Sequence, residues 1–474
     1  MTNKILVQLP IGAHSPNLEI TLSYTNELIK QGNDITILTC SGSDDSCLYN
    51  PLGLPSTCRS CKRRTREALS HLIGGYKHEE TLGLRSYKFN YHSTEELKAI
   101  KYKGTNVGYS ALSSYASLTR SVDIDYSNKK TRLIIDKYLS TACKLTDSVV
   151  QLQQHFSFDK FVLFNSRLNT YRSFFDLAKI KNIPVTVVEL NFSKDNAMIF
   201  ENAMPHDIAY NGYLVESLFK NLGYAKTEQR AIEFFNNRAK SLFSNEESYT
   251  KQQNKDLLPD NWDPKKKKIA IFNSSEDEFM AIGGSWEENR LFKNQYEGLT
   301  FISNYAKDHN IIFYLRIHPN LRGTQKSYLE KLLALKSDNF VVIPPESKIS
   351  TYNLMYNCDA IITFGSSIGV EATYWSKPSI LLGNCFYRHL NITYNPTSTK
   401  ELITLIESDL EPIDNKLGCL KMASHMINPG FKVHGYSFNN KKGYINGKEI
   451  KRKKSLLQKI ESKYTKYYLK SIKS

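Results

Sequence analysis

The chain has 474 residues, 63 of them basic and 47 acidic, for a formal charge of +16 at pH 7; 41% are hydrophobic and 12% aromatic. This is longer than one ordinary domain and apolar enough to build cores, so wholesale disorder is excluded and two or three domains are expected. No apolar run approaches the roughly 20 residues that a membrane-spanning helix needs.

The N-terminus, Met1-Thr2-Asn3-Lys4 followed by Ile5 to Pro10, lacks the long apolar core and small-residue cleavage site of a secretory signal, which predicts a cytoplasmic protein. Lys4 to Leu9 reads as a strand. Leu18, Ile20, Leu22, Leu28 and Ile29 mark a helix ending near Gly32, and Asp34 to Thr39 is a second strand. The loop after the first strand, Pro10 to Glu19, places His14 and Glu19 at a strand's carboxyl end as candidate bases. Both also read plainly, His14 as a solvated loop histidine and Glu19 as a first-turn acid favoured by the helix dipole.

Next come Cys40, Cys47, Cys58 and Cys61, four of the eight cysteines within 22 residues. In a reducing compartment they are free thiols or metal ligands rather than a disulfide framework. Four thiolates can close a tetrahedral structural zinc site, though six residues between the first two exceed the usual spacing, and unliganded thiols are the plainer reading. Arg59, Lys62, Arg63, Arg64 and Arg66 follow; they could meet an anionic lipid-linked acceptor or solvate a helix face.

Further strands are predicted at Lys160 to Phe164 and Pro184 to Leu190, with a helix from Tyr171 to Lys181 between them. Asn165-Ser166-Arg167 ends the first of these strands, as a group able to bind a sugar. Glu189 ends the second. A carboxylate closing an apolar strand is poorly explained as a solvated face, so Glu189 is a candidate catalytic base. His206-Asp207 reads as a turn before it reads as a site. Asp123-Ile124-Asp125 has the spacing of a metal-binding acidic pair, but its flanks form no strand.

Between Ser244 and Lys268 the sequence turns polar, which predicts an N-terminal domain over residues 1–245 and a linker over 246–267. A second alternating series follows in a domain over 268–410. Its strands are Lys268 to Phe272, Ile311 to Ile317, Phe340 to Ile343, Ala360 to Phe364 and Ser379 to Leu382. Its helices lie around Gly298 to Asp308, Lys326 to Leu335, Thr351 to Asn357 and Gly369 to Trp375. Strands alternating with helices imply α/β architecture with parallel sheets covered on both faces, and two such halves would face a cleft.

Three strand ends in this second half carry chemistry. Gly365-Ser366-Ser367 runs directly into a helix, so backbone N–H groups, two hydroxyls and the helix dipole converge as an anion seat. Glu371, one turn on, could accept from ribose or sugar hydroxyls; a simple helix cap completed by Glu371 is the plainer alternative. Arg316-Ile317-His318-Pro319-Asn320 ends another strand and would bring a guanidinium and an imidazole to the same crevice. Ser274-Ser275-Glu276-Asp277-Glu278 ends a third. Its acidic triplet would repel phosphate, so Ser274 and Ser275 are assigned to sugar contacts or domain closure, with a solvated N-terminal helix turn as the equally plain alternative.

These segments, with Trp375-Ser376-Lys377-Pro378, resemble bacterial capsule and surface-polysaccharide glycosyltransferases of the GT-B fold. More distantly, the His-Pro and Ser-Ser pair is similar to that of CMP-Kdo and sialyl transferases. The resemblance is good over about a quarter of the chain and loose in the N-terminal half. It implies two Rossmann-like domains and metal-independent transfer with no cofactor required for catalysis. It also implies contact of His318, Ser366 and Ser367 with the donor phosphate, Arg316 nearby, and Glu371 on the nucleoside. The chain has Arg-Ile-His-Pro where many such enzymes have Arg-Pro-His-Pro.

Residues 411–440 are predicted to pack back, and residues 441–474 form a basic tail, twelve Lys or Arg against Glu449 and Glu461. Within it Leu456, Leu457, Ile460, Tyr464, Tyr467, Tyr468 and Leu469 recur at helical spacing among lysines, as in helices lying on an anionic membrane, with a solvated basic tail as the alternative. No nucleic-acid motif accompanies the charge. The whole predicts a cytoplasmic glycosyltransferase, peripheral at the inner face of the cell membrane. It would move a sugar from a nucleotide donor, CMP-linked before UDP- or GDP-linked, to a lipid-linked or oligosaccharide acceptor in a growing capsule or surface glycan. A CDP-glycerol-type polyol-phosphate transferase and a non-catalytic scaffold binding sugar nucleotides or glycan are the alternatives.

Overall fold

The structure, a computed structural model, describes residues 2–42, 46–82, 87–240, 253–323, 326–452 and 454–473. The chain divides into two compact units. One comprises Met1–His206, Met280–Ile282 and Pro429–Ser474; the other comprises Asp207–Phe279 and Gly283–Asn428.

The first unit runs β1 (Lys4–Leu9), α1 (Asn17–Lys30), β2 (Asp34–Thr39), α2 (Pro55–Leu69), β3 (Lys77–Glu80), α3 (Thr94–Ala99), α4 (Val107–Thr119), α5 (Lys129–Phe156), β4 (Lys160–Phe164), α6 (Arg172–Lys181), β5 (Val185–Leu190) and β6 (Ala197–Glu201). Its six-stranded sheet has the order β3-β2-β1-β4-β5-β6, parallel except for β6, which pairs antiparallel with β5. Ile5, Leu6, Val7 and Leu9 of β1 are buried, as continuous apolar runs in strands covered on both faces must be.

The second unit runs α7 (Ile208–Ala239), β7 (Lys267–Phe272), α8 (Gln295–Lys307), β8 (Ile311–Arg316), α9 (Lys326–Leu333), β9 (Phe340–Ile343), α10 (Thr351–Asn357), β10 (Ala360–Thr363), α11 (Ile368–Tyr374), β11 (Ser379–Leu381), α12 (Thr399–Glu407) and α13 (Lys416–Met426). Its sheet, β11-β10-β7-β8-β9, is wholly parallel. The chain then returns to the first unit as a hairpin, β12 (Tyr436–Asn439) and β13 (Lys442–Ile445), and ends in α14 (Leu456–Lys473).

The fold is thus α/β with two Rossmann-like units, as expected. The division falls at residue 206 rather than 245, because α7 has its apolar partner in the second unit: Val215, Ala231, Phe234 and Phe235 pack with Cys419, Leu420 and Ala423. Of the expected linker, residues 246–252 lie outside the described residues. The return segment places Val433, Tyr436, Ile445 and Ile450 in the core under α1 and β1.

In each sheet the strand order reverses beside the first strand, between β1 and β4 and between β7 and β10. At such a switch point the connections leave in opposite directions and open a crevice at the strands' carboxyl ends, where ligands of doubly wound sheets bind. The loops singled out from the sequence flank these two points.

Candidate functional site

In the second unit Phe272 pairs in register with Thr363 of β10 on one side and with Arg316 of β8 on the other. The three chains therefore leave the sheet at one level. Asn273-Ser274-Ser275 lies in the middle, flanked by Gly365-Ser366-Ser367 and His318. With neighbouring strands about 4.8 Å apart, the outer two loops stand about 10 Å from each other. His318 and the Ser-Ser turn thus share one edge, as anticipated.

The middle loop is the most pointed feature. Asn273, Ser274 and Ser275 are buried, and Asn273 Nδ2, Ser274 Oγ and Ser275 Oγ have no hydrogen-bond partner among the described residues. Buried polar groups are satisfied in nearly all native sites, so three such atoms on consecutive residues are candidates to bind a polar ligand or ordered water. Their supports are in order. Gln295 accepts from Ser274 N (2.8 Å), and Asn273 Oδ1 accepts from His318 N (2.8 Å). His318 Nδ1 accepts from Asn320 N (3.1 Å), so the neutral ring carries its proton on Nε2. Glu276, of the acidic triplet, turns back to accept from Gln295 N (3.3 Å) at the start of α8.

The Ser-Ser turn departs from its expected role. Gly365 holds φ +114°, and a Cβ there would stand 3.1 Å from Cys385 Cβ, so the turn needs glycine. Its N–H groups are largely taken: Thr363 Oγ1 accepts from Gly365 N (3.3 Å) and Ser366 N (2.9 Å), and Ser366 O accepts from Gly369 N (3.0 Å). The anion seat of free amides is therefore corrected. The positive group at the turn is Arg238 from α7, which no local pattern announced. Its Nη2 donates to Ser367 Oγ (2.8 Å) and Glu371 Oε1 (3.0 Å), and Nε also reaches Oε1 (3.2 Å). Ser367 Oγ donates to the same carboxylate oxygen (3.1 Å), and the Tyr352 hydroxyl bonds Oε2. Glu371 is fully buried in this network, so it orders Arg238, Ser367 and Tyr352 instead of offering itself to a nucleoside. Burial and the Glu371 charge hold the Tyr352 phenol far above its ordinary pKa. An adjoining pocket is lined by Gln253, Lys255, Ser350, Tyr352, Asn353 and Tyr356.

Arg316 is a second correction. It is buried, and its guanidinium donates to the carbonyls of Pro344 (2.8 Å) and Ser347 (2.9 Å), pinning the loop after β9. Burial, with Arg322 beside it, lowers its pKa to about 10. Its two Nη atoms thus shape the edge by holding that loop.

In the first unit Glu189 and Asn165 end neighbouring strands, and Asn165 Nδ2 donates to Glu189 Oε2 (2.7 Å). Burial raises the Glu189 pKa against the opposing pull of Asn165, the Leu190 amide and Arg167. A carboxylate made more basic in this way suits proton abstraction. His14 sits edge-on to Tyr49 at 5.7 Å. Burial, then the charges of Arg452 and Arg64, lower its pKa to about 4, leaving a neutral and weak base. Glu19 is not available at all: it is fully buried and paired with Arg64. Arg64 also donates to Ile450 O (3.0 Å) and Gly12 O, so this expected surface cation clamps the β1–α1 loop to the returning chain.

The four clustered cysteines form no disulfide and line one cavity at the ends of β1, β2 and β3. Cys58 Sγ accepts from Asn50 Nδ2 (3.1 Å), and burial raises the Cys61 pKa to about 11. Among the described residues no three His, Cys, Asp or Glu side chains converge so as to hold a metal ion.

No family model matches the chain, and no curated protein matches it. Among solved structures it is similar to a beta Kdo 2,4 transferase, KpsC of Thermosulfurimonas dismutans, at 14% identity over 56% of this chain and 80% of that one, with a TM-score of 0.37. The beta Kdo 2,7 transferase of the same KpsC gives 15% identity, 68% and 89% coverage and a TM-score of 0.34. The UDP-GlcNAc 2-epimerase of Neisseria meningitidis bound to UDP-GlcNAc gives 13%, 90% and 98%, and 0.29. At these values the likeness is one of architecture, and function must be read from the chain's own residues.

Proposed function

We propose that the protein is a GT-B glycosyltransferase that takes a sugar from a nucleotide donor, CMP-linked in preference to UDP- or GDP-linked, and adds it to a growing capsule or surface polysaccharide. One observation carries this reading: the three orphaned polar atoms of Asn273, Ser274 and Ser275 at the switch point, between His318 and the Ser-Ser turn. A leaving nucleotide phosphate needs donors fixed where its charge develops. Asn273 Nδ2 and His318 Nε2 supply them, and the hydroxyls of Ser274 and Ser275, beside the acidic residues 276–278, take the donor sugar. Arg238 holds Ser367 in place, and the Tyr352 and Tyr356 side of the adjoining pocket is where the nucleoside lies. A single phosphate fits an edge that has one such seat and no extended glycine-rich loop, which favours a monophosphate donor.

Within the first unit, Glu189, made more basic by burial, is the carboxylate best fitted to take a proton from an acceptor hydroxyl. The test is a thermal-shift panel of CMP, CDP, UDP and GDP on wild type and His318→Ala. CMP should stabilise the wild type most, and the substitution should abolish the shift. Failure of all four nucleotides to stabilise the wild type would sink the donor site.

A further inference from the structure

The C-terminal helix α14 is fastened to the first unit by one face. Glu461 accepts from Ser56 N (3.0 Å), Thr57 N (2.7 Å) and Thr57 Oγ1 (2.9 Å), capping the N-terminus of α2. Gln458 and Ile472 are buried, and Tyr468 and Leu469 pack on the cluster built by α4 and α5. Lys130 Nζ donates to Ser471 Oγ (2.7 Å) at the far end.

What this docking leaves outside is ordered. At about 100° per residue, Gln458, Glu461, Tyr468, Leu469 and Ile472 occupy about one third of the helix circumference, and Ser471, at the far end, lies outside that sector. Lys459, Lys463, Lys466 and Lys470, all exposed, fall in the adjoining sector. Leu456, Leu457, Ile460, Tyr464 and Tyr467 fall together in the remaining one, each 53–74% exposed. Five large apolar side chains on one stripe are not the scatter of single hydrophobics that any surface carries. The lysine row beside them selects an anionic partner, and the two tyrosines suit a boundary that is apolar on one side and wet on the other. Among the described residues no helix is long and apolar enough to cross a membrane.

We infer that α14 is a docked interfacial helix that seats the first unit on an anionic phospholipid bilayer. Leu456, Leu457, Ile460, Tyr464 and Tyr467 enter the head-group boundary, and the lysine row lies against lipid phosphates. The helix is held by the protein before it meets lipid, so binding does not have to be paid for by folding the helix. The inference is independent of the donor site, since its readout needs no nucleotide.

Full-length protein is sedimented with vesicles of phosphatidylcholine alone and with vesicles that are about one-third phosphatidylglycerol. The wild type should partition onto the anionic vesicles, fall off with added salt, and bind neutral vesicles at least about tenfold less. Leu457→Ser/Ile460→Ser/Tyr464→Ser should lose at least about tenfold in partitioning, and each lysine changed to Gln about fivefold. All these side chains are exposed, so the melting temperature should be unchanged, which keeps loss of binding apart from loss of fold. No partitioning of the wild type onto anionic vesicles, or equal binding by the triple variant, overturns the inference. So does a dimer in light scattering that the triple variant dissolves while neither protein binds vesicles, since the stripe then belongs to a second copy. Nucleic-acid binding unaffected by the triple variant, with no vesicle binding, also overturns it.

Discussion

Replacing Arg238 by leucine probes the part of the proposed donor site that sequence patterns do not reveal. The guanidinium is 22% exposed, and the carboxylate it faces, Glu371, is 1% exposed. Removing one partner of a fully buried pair costs about 3–5 kcal/mol. Here the hydroxyls of Ser367 and Tyr352 still reach the carboxylate, and water reaches Arg238, so the expected cost is about 2–3 kcal/mol. At about 2–4 °C per kcal/mol for a unit of this size, the second unit should melt about 5–10 °C lower. Glu371→Gln keeps an acceptor for the hydroxyls and should cost about 1–2 kcal/mol. With its charge gone, losing Arg238 as well matters less, so the double variant should fall short of the sum by about 1–2 kcal/mol. Urea unfolding of wild type, the two single variants and the double variant measures the cycle. Because Arg238 Nη2 holds Ser367 Oγ at 2.8 Å, the shift induced by CMP should also shrink in Arg238→Leu, measured well below its melting point. Strict additivity, or a cost for Arg238→Leu under about 0.5 kcal/mol, would show that the network does not order the turn.

Glu189→Gln separates chemistry from stability: burial has raised this carboxyl's pKa, so the folded state holds its proton more strongly than the unfolded chain does. Its stabilising contribution is present below the unfolded carboxyl's pKa and is lost as pH rises through the folded value, so the glutamine variant should be at least as stable as wild type at neutral pH. Its rate in the proposed glycosyl transfer should nonetheless fall by about 100-fold or more and lose the acidic limb of the pH profile. His14 and His206, with pKa values lowered to about 4 and about 3, act with the opposite sign. The unfolded chain takes up these protons first, so their stability is complete above about pH 6.5 and is lost as pH falls toward the folded values, about 2 kcal/mol each after allowance for partial exposure. Melting curves from pH 7 to 4 should show this decline, and His206→Asn should flatten it. Gly369→Ala would place a methyl 2.6 Å from Tyr387 Oη and 2.9 Å from Thr363 Cγ2 under the Ser-Ser turn. It should cost about 1–3 kcal/mol by calorimetry and weaken CMP binding.

The parallel sheets were legible because their strands are buried on both faces and so appear as unbroken apolar runs. Phe340 to Ile343 is predicted and observed with the same bounds, and Lys268 to Phe272 differs by one residue. The antiparallel edge was not legible. Ala197–Glu201 follows β5 by a polar loop in which Asn191 bonds Asn196, and only Ala197 and Phe200 of it are buried, so it carries neither a long buried apolar run nor a short hairpin turn. The assignment of α7 was equally out of reach. Its apolar residues need a partner, and that partner, α13, lies some two hundred residues further along.

The loops at the switch points were legible for the same reason as the strands, since each motif is simply where an apolar run stops. What each side chain does there was not. Arg316 and His318 belong to one short motif, yet one is consumed by the carbonyls of residues 344 and 347 while the other stays at the edge. The choice depends on where the loop after β9 passes. Glu371 looks like a first-turn acid facing a ligand until Arg238 arrives from 133 residues away. The tail gives the same result at the longest range. Its helical stripe is plain in the sequence, but only the bonds from Ser56 and Thr57 to Glu461, 405 and 404 residues apart, fix which third of the helix is docked. Local sequence therefore locates the sites, because strand ends are local. The distribution of charge within them depends on long-range packing, and in each of these three places a group that looked free to meet a ligand is instead consumed by the fold.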